Sequence, residues 1–186
     1  MEKRSRRKFN TGASRGLRKC LAVEYADNGF NVMLCARNTE QLRDVCRLIN
    51  ESGGNGEFVL CDVSVAEDMD RAIKYTFERF GRVNIAILNA GIGDRVSFSN
   101  FDRNAFERVM ATNLVGAVAA LISFTKMMKQ QGSGTIVGIS SLNDARPIPG
   151  NSSKAALSIL LEAAAIELKP LGINVITVRP GFFKQT

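Results

Sequence analysis

Hydrophobic and polar positions along this chain alternate between two periods, and the alternation repeats to its end. From Arg18 to Asn28, Leu21, Ala22 and Tyr25 recur at helical spacing, and Asn28-Gly29 closes the segment. Asn31 to Ala36 (NVMLCA) is a short continuous apolar run, which is the pattern of a buried strand. Thr39 to Ser52 returns to the helical period through Leu42, Val45, Leu48 and Ile49, and Gly53-Gly54 ends it. The pattern then predicts a strand over Phe58–Val63, a helix over Ala66–Phe80 and a strand over Val83–Leu88. A long helix over Asn104–Gln130, a strand over Thr135–Ser140, a helix over Lys154–Leu168 and a strand over Ile173–Arg179 complete it. Strands alternating with helices of this length imply βαβ units: an α/β, doubly wound parallel sheet covered on both faces, a three-layer sandwich. No repeat, low-complexity stretch or linker interrupts the pattern, so residues 1–186 are expected to form a single domain. In such sheets ligands bind outside the carboxyl ends of the strands, near the point where strand order reverses.

Composition narrows the chemistry. A hydrophobic fraction of 45% is too high for disorder. Histidine is absent, which excludes His-based metal sites and every Ser-His-Asp or Cys-His scheme. Cys20, Cys35, Cys46 and Cys61 form no CxxC pair and no secretory signal is visible, so they read as reduced thiols in a cytoplasmic protein, with no metal. The net charge of +7 owes much to the opening residues MEKRSRRK. Ser5-Arg6-Arg7-Lys8-Phe9 resembles a twin-arginine signal, but no apolar region follows it. No aromatic interleaving or reading helix accompanies the basic arm, so nucleic acid is not the expected partner. The longest uncharged run, Val109 to Thr125, is shorter than a membrane span and suits a buried helix.

The candidate chemistry falls at predicted strand ends. Thr11-Gly12-Ala13-Ser14-Arg15-Gly16-Leu17 opens the first helix, where glycines admit a pyrophosphate to backbone N–H groups; alone, such a turn is commonplace. Ala36-Arg37 ends the second strand, where an acidic residue would grip an unphosphorylated ribose; Arg37, with Arg15, suits a 2′-phosphate, or both are simply solvated. Asp62-Val63 and Asn89-Ala90-Gly91 follow the next two strands, as adenine and ribose contacts or as ordinary turns. Asn113 lies within the apolar helix, where a buried amide needs a partner. Ser140-Ser141 ends the fifth strand, and Lys154 opens the helix after it.

Taken together, TGASRG, CDV, NAG, Asn113, ISS, SKAAL and RPG resemble the short-chain dehydrogenase/reductase family, in family order over about residues 11–181. The resemblance implies a Rossmann-like fold and hydride transfer between a nicotinamide and an alcohol or carbonyl carbon. Ala36-Arg37 looks like the NADP(H)-preferring branch. By the same resemblance Gly12, Ser14, Arg15, Gly16, Leu17, Arg37, Asp62, Val63, Asn89, Ala90, Gly91, Lys154, Pro180 and Gly181 bind the cofactor. Ser141 polarises the substrate oxygen, Lys154 lowers the pKa of a catalytic tyrosine, and Asn113 anchors a water-mediated proton path.

That tyrosine is missing. It belongs thirteen residues after Ser141 and four before the lysine; the first count lands on Lys154 itself and the second on Gly150. A gap of four residues between Ser153 and Lys154 restores the register, and four residues are about one helical turn. Both tyrosines, Tyr25 and Tyr75, lie in other predicted helices. Lys154 could itself occupy the vacant place and donate a proton. Arg18 replaces the third glycine of the turn, where close packing excludes a side chain. The first strand reads SRRKFN over Ser5–Asn10; burying those charges unpaired would cost several kcal/mol each, so the strand is either absent or the chain marginally stable. The sequence runs to Thr186, whereas family members continue with a substrate-covering loop, a helix and an edge strand, so a truncated sheet edge is expected. Gln185 stands where a threonine would hold the nicotinamide, with Thr186 one place later.

Three functions fit these features. One is an NADP(H)-dependent oxidoreductase acting on a small carbonyl or secondary alcohol. Another is a catalytically inactive cofactor-binding or scaffold protein on the same frame, forming homo-oligomers through the helices near 104–130 and 154–168. The last is a defective remnant without selected function.

Overall fold

A computed structural model of the chain describes residues 6–11, 17–93, 98–142 and 149–181. Its strands are β1 (Arg6–Thr11), β2 (Phe30–Ala36), β3 (Asn55–Leu60), β4 (Ile85–Leu88), β5 (Gly134–Ile139) and β6 (Ile173–Val178). All pair in parallel in the order β3-β2-β1-β4-β5-β6, which reverses between β1 and β4. The helices are α1 (Leu17–Asp27), α2 (Thr39–Glu51), α3 (Ala66–Phe80), α4 (Arg103–Met110), α5 (Gly116–Gln131) and α6 (Ser152–Leu168).

Two apolar layers hold the helices to the sheet. On one face Ala22 and Ala26 of α1 and Leu42, Val45 and Ile49 of α2 bury against Val32 and Leu34. On the other, Met69 and Ile73 of α3 and Ala120, Phe124 and Met128 of α5 bury against Met33, Ala86 and Ile136. The first turn of α2 is capped by Asn38, whose side-chain oxygen accepts from the Gln41 N–H. Helix α6 joins the second face through Leu157 and Leu161 against Ala117 of α5. The doubly wound, three-layer architecture expected from the pattern is therefore present, with a crevice position at the β1/β4 switch point.

Strand β1 forms despite its charges. Its Phe9 enters the core 5.0 Å from the Phe124 ring, while Arg7 exchanges hydrogen bonds with Asn84: the Arg7 N–H donates to Asn84 Oδ1 at 2.9 Å and the Asn84 N–H to the Arg7 carbonyl at 2.8 Å. Lys8 points to the opposite face and is fully buried.

Two elements differ substantially from the pattern. Strand β3 spans Asn55–Leu60 rather than Phe58–Val63, because pairing with β2 in the register Asn31↔Asn55 to Ala36↔Leu60 draws in the polar Asn55-Gly56-Glu57. The expected helix over 104–130 is interrupted by a π-turn at Ala111–Val115. Counted through that turn, Arg103–Gln131 is long and apolar enough to cross a membrane, its 18-residue apolar stretch having a mean hydropathy of 1.5. Of its apolar residues, Ala120, Phe124 and Met128 line the sheet core, whereas Val115 and Ile122 are exposed.

Candidate cofactor and active site

The strand ends bring several of the candidate residues to one edge of the sheet. At the carboxyl ends of β2 and β3, Arg37 Nη1 lies 3.5 Å from Asp62 Oδ2, with the arginine side chain 69% exposed. The shift of β3 places Asp62-Val63 in the turn beyond the strand. There the Ser64 N–H (3.0 Å) and hydroxyl (2.6 Å) donate to Asp62 Oδ1. Partial burial alone would raise the Asp62 carboxyl, but the Ser64 hydrogen bonds and the Arg37 charge together outweigh it and hold the group below the usual carboxylate range.

Beyond β4, Asn89 is buried and Ala90 and Gly91 are half-buried. Asn113 sits within the π-turn, 3% exposed, and its amide is satisfied as burial demands. Its Oδ1 accepts from the Ile92 N–H at 2.8 Å, and its Nδ2 donates to the Ile92 carbonyl at 2.9 Å and to Ser153 Oγ at 3.2 Å. The side chain thus clamps the segment after β4 to α5 and to the start of α6. Gly116, which follows the π-turn, lets α5 approach the end of β3 so closely that a Cβ there would lie 2.3 Å from the Val63 carbonyl oxygen.

At the end of β5, Ser140 donates from its backbone N–H to Val178 at 2.8 Å, and the Leu142 N–H donates to Pro180 at 3.1 Å. These bonds set half-buried Ser141 beside Pro180-Gly181 at the end of β6. Lys154 lies in the first turn of α6, and its Nζ donates to the Ile139 carbonyl at 2.7 Å. Its own carbonyl accepts from Ser140 Oγ at 3.0 Å, and the buried Ser158 hydroxyl donates to Ser140 Oγ at 2.7 Å.

Gly12, Ser14, Arg15 and Gly16 lie outside the described residues, as do the side chains of Leu17 and Arg18. The two tyrosines are elsewhere in the fold. Tyr25 packs edge-on against Phe30, 5.1 Å between ring centroids, and Tyr75 is exposed on α3. Gly150 stands in a short 3₁₀ turn, Pro149–Asn151, that leads into α6. Sequence reasoning missed Ser153 and Ser158. Their signal was a polar side chain within an apolar helical run, the kind of signal that had singled out the Asn113 amide.

The fold defines a doubly wound α/β protein of Rossmann-like architecture. The short chain dehydrogenase profile matches residues 9–186, and the chain belongs to that family. An oxidoreductase of Thermotoga maritima is 34% identical over 175 residues, covering 92% of this chain and 69% of that protein. Among solved structures, a variant actinorhodin polyketide ketoreductase with NADPH superposes with a TM-score of 0.92 at 27% identity, over 97% of this chain and 71% of its own. NAD⁺-bound xylitol dehydrogenase superposes with a TM-score of 0.93 at 26% identity, over 97% and 72%.

Proposed function

We propose that this chain binds NADP(H) along the ends of β1–β4 and that residues 1–186, as they stand, do not turn over a carbonyl or alcohol substrate. The observation that carries the reading is the exposed Arg37 guanidinium held beside Asp62, at a strand end where an unphosphorylated ribose would call for an acid. Solved relatives hold either NADPH or NAD⁺, so on this chain the choice rests on Arg37, with Arg15 as its second clamp.

The donor set fits such a cofactor. Arg37 offers guanidinium N–H groups to a 2′-phosphate, and Asp62 and Val63 frame the adenine. Asn89, Ala90 and Gly91 leave room beside the ribose. By the family resemblance, the N–H groups of Gly12, Ser14 and Gly16, outside the described residues, and of Leu17 would serve the pyrophosphate, and Lys154, Pro180 and Gly181 would hold the nicotinamide half. Bound NADP(H) would supply or accept the hydride; this chain supplies Ser141 to polarise an oxygen and Asn113 to fix the surrounding backbone. A matched acid beside that oxygen is what the family scheme requires, and both tyrosines are committed elsewhere. Losing a positioned acid costs typically ~10²–10⁴-fold in rate. The amine of Lys154 donates to the Ile139 carbonyl, which argues against its standing in for the missing acid.

A homo-oligomer belongs to the same reading, because Ile122 on α5 and Ile159 and Ile166 on α6 expose large apolar side chains. A cytoplasmic setting is supported by the four unpaired cysteines.

Fluorescence titration with NADPH and NADH tests the binding half. Saturable NADPH binding that weakens by about 10–100-fold in Arg37→Glu, with NADH little affected, is expected; no saturable change at millimolar NADPH ends the proposal. Turnover over a carbonyl panel tests the other half, against a variant with Tyr-Ser-Ala-Ser inserted after Ser153. The parent should be silent, and equal rates for the two would show that another group donates the proton.

A further inference from the structure

Lys8 has no part in the site above, yet it is fully buried in the middle of the sheet. Its Nζ lies 3.2 Å from the centroid of the Tyr25 ring and 3.5 Å from the Leu21 carbonyl, both on α1. The surrounding layer is otherwise apolar: Val32 and Leu34 from β2, Ile85 from β4, and Ala22 from α1. The ionisable groups in that layer are the Tyr25 phenol on α1 and the Cys46 thiol on α2, the latter pushed up to about 11 by burial and by the nearby Glu57 charge. The described charged residues of the two helices lie outside it: Glu24, Asp27, Glu40, Arg43, Asp44, Arg47 and Glu51 are exposed and Lys19 is half-buried. No Asp or Glu is buried among the described residues.

We propose that Lys8 is a proton-sensitive latch between β1 and α1: the neutral amine lets α1 seat fully on the sheet, and the ammonium loosens it. Among the described residues, the polar and ring contacts of Nζ are both on α1, through one ring face and one long hydrogen bond, so releasing the charge to water requires α1 to lift.

Burial pulls the Lys8 amine down from its usual 10.5 to about 7. Between those values the opened or unfolded chain holds the proton that the folded chain has released. Stability therefore rises with pH across that window, and below about 7 both states are protonated and the dependence ends.

The test is thermal unfolding of the wild-type chain and Lys8→Met between about pH 7 and pH 10. The wild type should gain stability across that span and take up about one more proton on unfolding than the variant. Lys8→Met should melt roughly 5–10 °C higher at neutral pH. Taking the difference between the two proteins removes the shared titration of the cysteines and tyrosines. If Lys8→Met fails to fold, hydrogen exchange of the wild type alone decides. Corrected for intrinsic rates, protection of the Ala22–Ala26 amides should rise with pH relative to the amides of α3. A wild type whose melting point and α1 protection do not change with pH over this window overturns the proposal. So does a variant that keeps the same pH slope.

Discussion

A single methyl group at Gly116 tests whether the approach of α5 to the end of β3 is as close as the structure has it. On propensity alone, Gly116→Ala should stabilise a helix by about 1 kcal/mol. The structure says the opposite. The added Cβ would lie 2.3 Å from the Val63 carbonyl oxygen and 2.9 Å from its carbon, where real Cβ contacts essentially never fall below 3.0 Å. Helix and strand end must part by about 0.7 Å, and both sides of the clash are backbone, which cannot rotate away. Overpacking of this kind costs about 1–3 kcal/mol, here toward the upper end because Ala117 and Ala120 of α5 are seated in the same interface. Strain outweighs propensity, and the net expectation is a loss of about 1–2 kcal/mol, or roughly 3–8 °C in melting temperature. Urea denaturation and a thermal melt measure it. Gly93→Ala is the control, since a Cβ there meets nothing within 4 Å, and its stability should be unchanged or slightly raised. A Gly116→Ala protein at least as stable as the wild type would refute the packing argument.

Asn113→Ala removes the bonds to both backbone groups of Ile92 and to Ser153, leaving buried polar groups without partners; a loss of about 3 kcal/mol in denaturant unfolding is expected. A loss below about 0.5 kcal/mol would mean that water replaces the amide freely. Asp62 contributes stability that is present above the ordinary carboxylate pKa and is lost as pH falls through its lowered value. Asp62→Asn should therefore flatten the acid limb of the stability curve, and an unaltered acid limb would show that its hydrogen bonds to Ser64 do not favour the charged form.

The order and type of the elements were legible because the apolar period changes cleanly from one segment to the next. α3 matches its expected span residue for residue, and β2 departs by one. Strand β3 was misplaced because edge-strand pairing is a backbone property: Asn55 and Gly56 look like turn residues, yet Asn55 pairs in register with Asn31 and Gly56 with Val32. The π-turn at Ala111–Val115 has no periodicity signal, since one extra residue per turn barely disturbs an apolar stripe. Within the candidate site, resemblance to the family's motifs marked Asn113, Ser141 and Lys154. The hydroxyl chain from Ser158 through Ser140 to the Lys154 carbonyl links residues far apart in sequence and needed the fold to appear.

By itself the sequence determined the layered architecture, the family and the missing phenol, because all three depend on residue type and linear order. Tertiary structure alone decided the fate of β1. A strand carrying Arg7 and Lys8 looks unburiable one residue at a time. Its backbone nevertheless pairs with β2 and β4 on both sides, Phe9 fills the opposite layer, and the Lys8 amine gains the Tyr25 ring. The cost of a buried charge is local, whereas the gain from completing the centre of a parallel sheet is shared among all its neighbours, and only the assembled fold sets one against the other.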